Sequence, residues 1–125
     1  MKNLSLEQIL KFHTRIIQAT GGSDGVRDLG LIESALRKAE ATFDGQELYD
    51  GNVNKISVIT FSLIKNHGFI DGNKRIGVAT MLLLLRLNEI SIRYEQEEVV
   101  ELGLKTAEGK FREENIQRWI EEHQA

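Results

Sequence analysis

The chain contains no cysteine and no proline among its 125 residues. The first absence removes disulfides, thiolate zinc sites and a thiol nucleophile, and fits a reducing compartment. The second removes the ring that breaks helices. Many of the 11 glycines gather at 21–30 and around 67–75, which leaves long uninterrupted stretches for helix. An excess of positive charge is missing as well: 16 Lys and Arg stand against 19 Asp and Glu, for a net charge of −3. A general nucleic-acid binder is usually basic, so no direct nucleic-acid partner is expected. Long hydrophobic runs are also lacking. The longest, Ile76 to Leu85, is about half of the ~20 residues a membrane span requires. Met1 to Leu10 has no apolar stretch of the secretory-leader kind. The expectation is a cytoplasmic protein with no membrane partner. A chain of this size buries enough surface to fold without metal or disulfide staples, so residues 1–125 are read as one domain.

What is present is helical periodicity. Leu6, Ile9, Leu10, His13, Ile16 and Ile17 recur at helix spacing, with Ser5 and Gln8 placed as a capping box. His13 on that apolar face reads as a core histidine. Gly21 and Gly22 end the first helix, and Asp28 caps a second that carries Leu31, Ile32, Ala35, Leu36 and Ala39. The stretch TFDGQELYDGN, residues 42–52, reads as irregular or as a short turn-rich flap. Val53, Ile56, Ile59, Thr60, Leu63 and Ile64 form a third helix that runs into Asn66 and His67. Gly68 is the expected left-handed residue beyond its end. A fourth helix runs from about Asn73 to Leu87. Its residues 76–85 are apolar on every face, as in a helix at the centre of a domain. Ile92 to Tyr94 reads as a short extended piece, and 97–107 and 112–122 as two further helices, the last packed by Trp119 and Ile120. The expected fold is all-α, about six helices around a buried central helix.

The chemistry concentrates in HGFIDGNKR, residues 67–75, at the entrance to that apolar helix. A helix N-terminus offers unpaired N–H groups and the positive end of the dipole, and so receives anions. Gly72 lets a ligand approach the backbone. Lys74 and Arg75 add positive charge, the arginine suited to bidentate phosphate contacts. Each has an ordinary reading as a solvated residue of the first turn, but cations there oppose the dipole. Asp71 could cap the helix. Beside a phosphate it needs a divalent cation between, and Mg²⁺ held by one carboxylate and substrate phosphates meets that need. Gly72 and Asn73 could be turn residues only. His67 can serve as the general base that takes a proton from an attacking hydroxyl. Together these residues point to transfer of part of a nucleotide to a hydroxyl.

The same nine residues resemble the motif of the Fic/Doc superfamily, H-x-F-x-(D/E)-G-N-(G/K)-R, through His67, Phe69, Asp71, Gly72, Asn73, Lys74 and Arg75. GGSDGVRDLGLIESAL and LLLLRLNEI are similar to further segments of its death-on-curing (Doc) branch. The adenylylating branch usually carries glycine where Lys74 stands and a second arginine where Val78 stands, so both departures match the Doc branch. The resemblance implies a Fic/Doc-type helical bundle that binds ATP and Mg²⁺. His67 and Asp71 would be catalytic, with Asp71 the metal ligand and Gly72, Asn73, Lys74 and Arg75 holding the nucleotide. It implies phosphoryl transfer to a threonine of elongation factor Tu, which stops translation. The inhibitory pattern (S/T)-x-x-x-E-(G/N) has no full match; Ser91 to Gln96 comes nearest. Restraint is therefore expected from a separate antitoxin of the Phd type. Two alternatives stay open: transfer of AMP to a protein hydroxyl, and a Fic-like module that binds without catalysis.

Overall fold

A computed structural model describes all of residues 1–125. Six α-helices follow one another: α1 (Leu6–Thr20), α2 (Leu29–Arg37), α3 (Asn52–Asn66), α4 (Asn73–Leu87), α5 (Gln96–Ala107) and α6 (Glu113–Glu122). A 3₁₀ turn at Lys38–Glu40 extends α2. The two short strands β1 (Thr42–Phe43) and β2 (Gln46–Glu47) pair antiparallel, Thr42 opposite Glu47 and Phe43 opposite Gln46. No helix is long and apolar enough to cross a membrane. The all-α expectation holds, and the flap is a small hairpin rather than irregular chain. Asp44 and Gly45 turn it with φ of 53° and 77°, the pair of positive values a tight two-residue hairpin needs.

Local chemistry sets the helix ends. Ser5 accepts from Gln8 N–H while the Gln8 side chain accepts from Ser5 N–H, so two orphan donors of α1 are paired. Asp28 Oδ1 accepts from Leu31 N–H at the start of α2. One core joins the helices, with Ile9 from α1, Ile32 and Leu36 from α2, Ile56, Ile59 and Leu63 from α3, and Ile76, Met81 and Leu84 from α4. Leu102 of α5 and Ile116 and Ile120 of α6 complete it.

α4 shares the centre with α3. Ser57, Thr60 and Ser62 of α3 are buried beside Ile56, Val58, Ile59 and Ile64. Ser57 and Thr60 donate their hydroxyls to the carbonyls of Val53 and Ile56 one turn back, which satisfies them without any outside partner. α4 is buried through Ile76, Gly77, Thr80, Met81, Leu84 and Leu85. Its other side is half-open: Val78, Ala79 and Leu82 line a groove of about 380 Å³ against Ile16 of α1 and Val99, Val100 and Leu104 of α5. α3 and α4 pack closely at Gly77, where a Cβ would overlap Ile64 Cγ1 and lie 3.1 Å from its Cδ1. Gly77→Ala is expected to destabilise by about 1–3 kcal/mol despite alanine's better helix propensity, because a packed core resists added volume. Urea unfolding of Gly77→Ala, Ile64→Ala and the double variant checks this. Simple additivity of the two changes would show that the close approach is not the cause.

The C-terminus is tied down by His123. Its Nδ1–H donates to Trp119 O at 2.7 Å, its Nε2 lies 2.7 Å from Glu98 Oε2, and its ring stacks on Trp119. Burial opposes a charge on His123, but the bond to Glu98 and the bond to Trp119 O outweigh it, and its pKa is raised above the ordinary 6.5. The same histidine bond, with the Glu95 N–H, holds Glu98 below its ordinary 4.5. A raised histidine contributes stability that is complete below pH 6.5 and lost as pH rises through the folded value. A lowered glutamate contributes above pH 4.5 and loses that contribution as pH falls through its folded value. The stability difference between wild type and His123→Gln is therefore expected to be greatest between pH 4.5 and 6.5 and to shrink on either side. Denaturation across a pH series measures it; a difference that does not vary with pH would contradict the assignment.

Candidate active site

The loop between α3 and α4 is built on the glycine-rich segment after α1. Gly68 O accepts from both Arg27 N–H and Asp28 N–H, at 2.8 and 2.9 Å. Val26 pairs with Phe69 in an antiparallel bridge, and Ile70 N–H donates to Gly25 O. Gly68 must lack a side chain, since a Cβ would overlap Ile32 Cγ1 and lie 3.3 Å from the Asp28 carbonyl oxygen. The left-handed residue is His67 rather than Gly68: His67 has φ 51° and ψ 48°. The reason is that Gly68 supplies closeness to α2, so the reversal of the chain falls one residue earlier. A non-glycine residue there carries about 1 kcal/mol of strain. Arg27 offsets it, its Nε donating to His67 O at 2.6 Å and its NH2 to Asn66 O at 2.9 Å. Arg27 is thus a cap on the C-terminus of α3. Its positive charge stands at the negative end of that helix.

His67 itself is exposed, and its ring makes no hydrogen bond or ion pair within the chain. Asp71 is half-exposed and held on three sides. Ser23 N–H reaches its Oδ2 at 3.2 Å, Gly72 N–H its Oδ1 at 2.8 Å, and the Arg75 guanidinium stands 3.6 Å away. The Ser23 N–H, then the Gly72 N–H and the arginine charge, hold its carboxyl below the usual 3.8, so it is ionised at neutral pH. Gly72 precedes α4 in the left-handed conformation, φ 78° and ψ 21°, and no side chain caps that helix. The first N–H groups of α4 stay open beside an ionised carboxylate.

The remaining motif residues divide into two kinds. Asn73 is buried and spent on the loop: its Oδ1 accepts from Phe69 N–H at 3.1 Å and its Nδ2 donates to Phe69 O at 3.0 Å. Phe69 is buried in the core. Lys74 is exposed and has no partner, at one end of the apolar groove. Arg75 donates through NH1 to Thr20 Oγ1 and, at 2.7 Å, to Gly21 O, closing the C-terminus of α1. His13 was placed by its spacing in the core. It is indeed buried, yet its Nε2 lies 2.7 Å from Asp71 O. Its signal in the sequence was a polar residue on an otherwise apolar stripe. Ser23 acts only through its backbone, which no residue pattern announces. Loss of the Asn73 side chain would leave the Phe69 N–H and C=O unpaired. Asn73→Ala is therefore expected to destabilise by about 1–3 kcal/mol, while Lys74→Ala stays within about 0.5 kcal/mol of wild type. Thermal and urea unfolding compare them; equal losses would mean that Asn73 is not the staple of the loop.

Comparison with known proteins places these features in a family. The model described as the Fic/DOC family matches residues 3–85. A toxin Doc of Mycolicibacterium smegmatis is 35% identical over 74 residues, which are 59% of this chain and 57% of that protein. Less than two thirds of that relative's length is thus spanned. A protein kinase doc of Escherichia phage P1 is 27% identical over 112 residues, 89% of this chain and 86% of that protein.

Proposed function

The chain belongs to the Fic/DOC family, and on that premise we propose that it is a Doc-type toxin that transfers the terminal phosphate of Mg-ATP to a protein hydroxyl. The observation that carries this reading is His67: a strained residue at a helix end, held by its backbone, with its imidazole left free. Structure that over-determines a backbone outlier while leaving the side chain unengaged is the arrangement expected of a reacting group. The names of the two relatives, a toxin and a protein kinase, support the same reading.

In this reading His67 accepts the proton of the attacking hydroxyl. The open N–H groups of α4 at Asn73 and beyond, with Gly72 allowing close approach, receive phosphate oxygens. Lys74 contributes a mobile charge and Arg75 a fixed one. The residues fit a magnesium ion of the kind shared with substrate: no cluster of three metal-binding side chains exists, but one ionised, half-exposed carboxylate, Asp71, stands at the mouth of an anion site. Mg²⁺ is commonly held by one or two carboxylates with phosphates and water. When bound it would neutralise charge developing on the phosphate oxygens. Asn73 would act by holding the loop and by its backbone N–H. The target we infer is a threonine of elongation factor Tu, in the cytoplasm, with translation stopped as the result. Restraint would come from a separate antitoxin of the Phd type. The stretch from Ser91 to Gln96, the nearest thing to an inhibitory motif, is engaged elsewhere at its start: Ser91 O accepts from Ala125 N–H and Ile92 bridges to Gln124.

Incubation of the protein with elongation factor Tu and ATP labelled at the α or the γ position tests the reaction. Label is expected to pass from the γ position only. Transfer from the α position would mean adenylylation instead. His67→Ala is expected to lower the rate by about 10²-fold or more with unfolding midpoint unchanged, and an undiminished rate would remove His67 from the chemistry.

A further inference from the structure

We propose that His13 of α1 is a positioning residue for the site, acting through the Asp71–Gly72 peptide unit; this rests on the phosphoryl-transfer reading above. His13 is buried, its ring stacked on Phe69 with centroids 3.8 Å apart and 12° between planes. A carbonyl oxygen can only accept. Nε2 therefore carries a proton and donates it to Asp71 O at 2.7 Å. Nδ1 stands 3.4 Å from Asp24 Oδ1, an oxygen that accepts from Thr14 Oγ1–H at 3.3 Å.

The peptide group is planar. Fixing the Asp71 carbonyl therefore fixes the direction of the Gly72 N–H at the other side of the same plane. That N–H is the one that donates to Asp71 Oδ1 at 2.8 Å. One rigid unit thus carries the hold of His13 to the carboxylate proposed to face the metal. The left-handed Gly72 that opens α4 follows directly. Gly72 leaves room for this: a Cβ there would lie 3.5 Å from His13 Nε2 and 3.1 Å from Ile17 Cδ1. A leucine at position 13 would supply apolar contact but leave the Asp71 carbonyl unpaired. A purely structural histidine needs neither the stack on a motif residue nor a bond to the next one but one. A precise site needs both, since its groups must be held by a supporting shell.

The test uses His13→Phe, which keeps an aromatic ring against Phe69 without the donor, and His13→Gln, which restores a donor at the Nε2 position. Amide hydrogen exchange is followed at Phe69, Ile70 and Gly72, with Leu84 and Ile116 as core references. In His13→Phe the three loop amides are expected to exchange about tenfold faster while the references hold, and His13→Gln to recover most of the protection. In the transfer assay His13→Phe is expected to lower kcat about tenfold with the KM for ATP within about twofold, and His13→Gln to regain activity. Uniform acceleration at loop and core, no local change, or no difference between the two variants in either measurement overturns the proposal. Should His13→Phe fail to fold, His13→Leu, which likewise lacks the donor, is read against His13→Gln by the same exchange ratio. If wild-type protein transfers nothing, the functional reading falls by itself and the exchange pattern alone decides for or against His13.

Discussion

The Gly68 carbonyl is the fixed point of the site, because two consecutive N–H groups, those of Arg27 and Asp28, both close on it. A Cβ at this position would overlap Ile32 Cγ1, so only glycine lets the loop lie this close to α2. Everything nearby adjusts to that contact. The chain must reverse before Gly68, so His67 takes the left-handed conformation and its side chain is directed away from the core. The pairing continues to Gly25 and Ile70, which brings Ser23 against the Asp71 carboxylate. A segment remote in sequence therefore sets both His67 and Asp71 of the motif. Neither conformation is a local property of residues 67–75.

Much of the fold was legible because its punctuation is chemical. Ser5 with Gln8, and Asp28 with Leu31 N–H, are capping interactions that a residue pattern states directly. The expected span of the fourth helix, about Asn73 to Leu87, is that of α4. The shared centre was less legible. α3 carries Ser57 and Ser62, as well as Thr60, among its buried residues, and serines outside the apolar stripe read as surface. The hydroxyls of Ser57 and Thr60 hide by bonding back along their own helix. α4 misled in the opposite sense. An all-apolar face count says burial everywhere, yet Val78, Ala79 and Leu82 border an open groove. Two-residue strands are too short to show alternation, so the hairpin at 42–47 was readable only from its Asp44–Gly45 turn.

Within the site the motif gave the neighbourhood and the structure gives the division of labour. Phe69 and Asn73 are turned inward and bonded to each other through the Phe69 backbone. His67 and Lys74 are turned outward and left free. A spacing pattern cannot separate these two kinds, because alternate positions of a tight loop differ in direction only through long-range contacts. Arg27 and His13 lay outside the motif altogether. Their partners are backbone carbonyls of residues 66, 67 and 71, and a carbonyl is present at every position, so no partner residue type could betray them.

Arg75 is doubly engaged, which bears on whether it can serve an anion at all. Its two kinds of contact differ in strength. NH1 is held by Thr20 and the Gly21 carbonyl at the negative end of α1. NH2 faces Asp71 at 3.6 Å, with the two side chains 37% and 46% exposed. An exposed pair at that distance is worth at most about 1 kcal/mol, less than a guanidinium gains from charge-assisted bonds to a phosphate. An arriving polyanion can therefore take the NH2 side from Asp71 at small cost. The NH1 side stays fixed and keeps the guanidinium from swinging away. The carboxylate released loses one neighbouring cation but keeps the Ser23 and Gly72 N–H groups, so it stays ionised and becomes the more attractive to a divalent ion. Under the proposed function, the pairing between Asp71 and Arg75 would be the resting form of a site whose two halves separate onto the two charges of a metal–nucleotide complex.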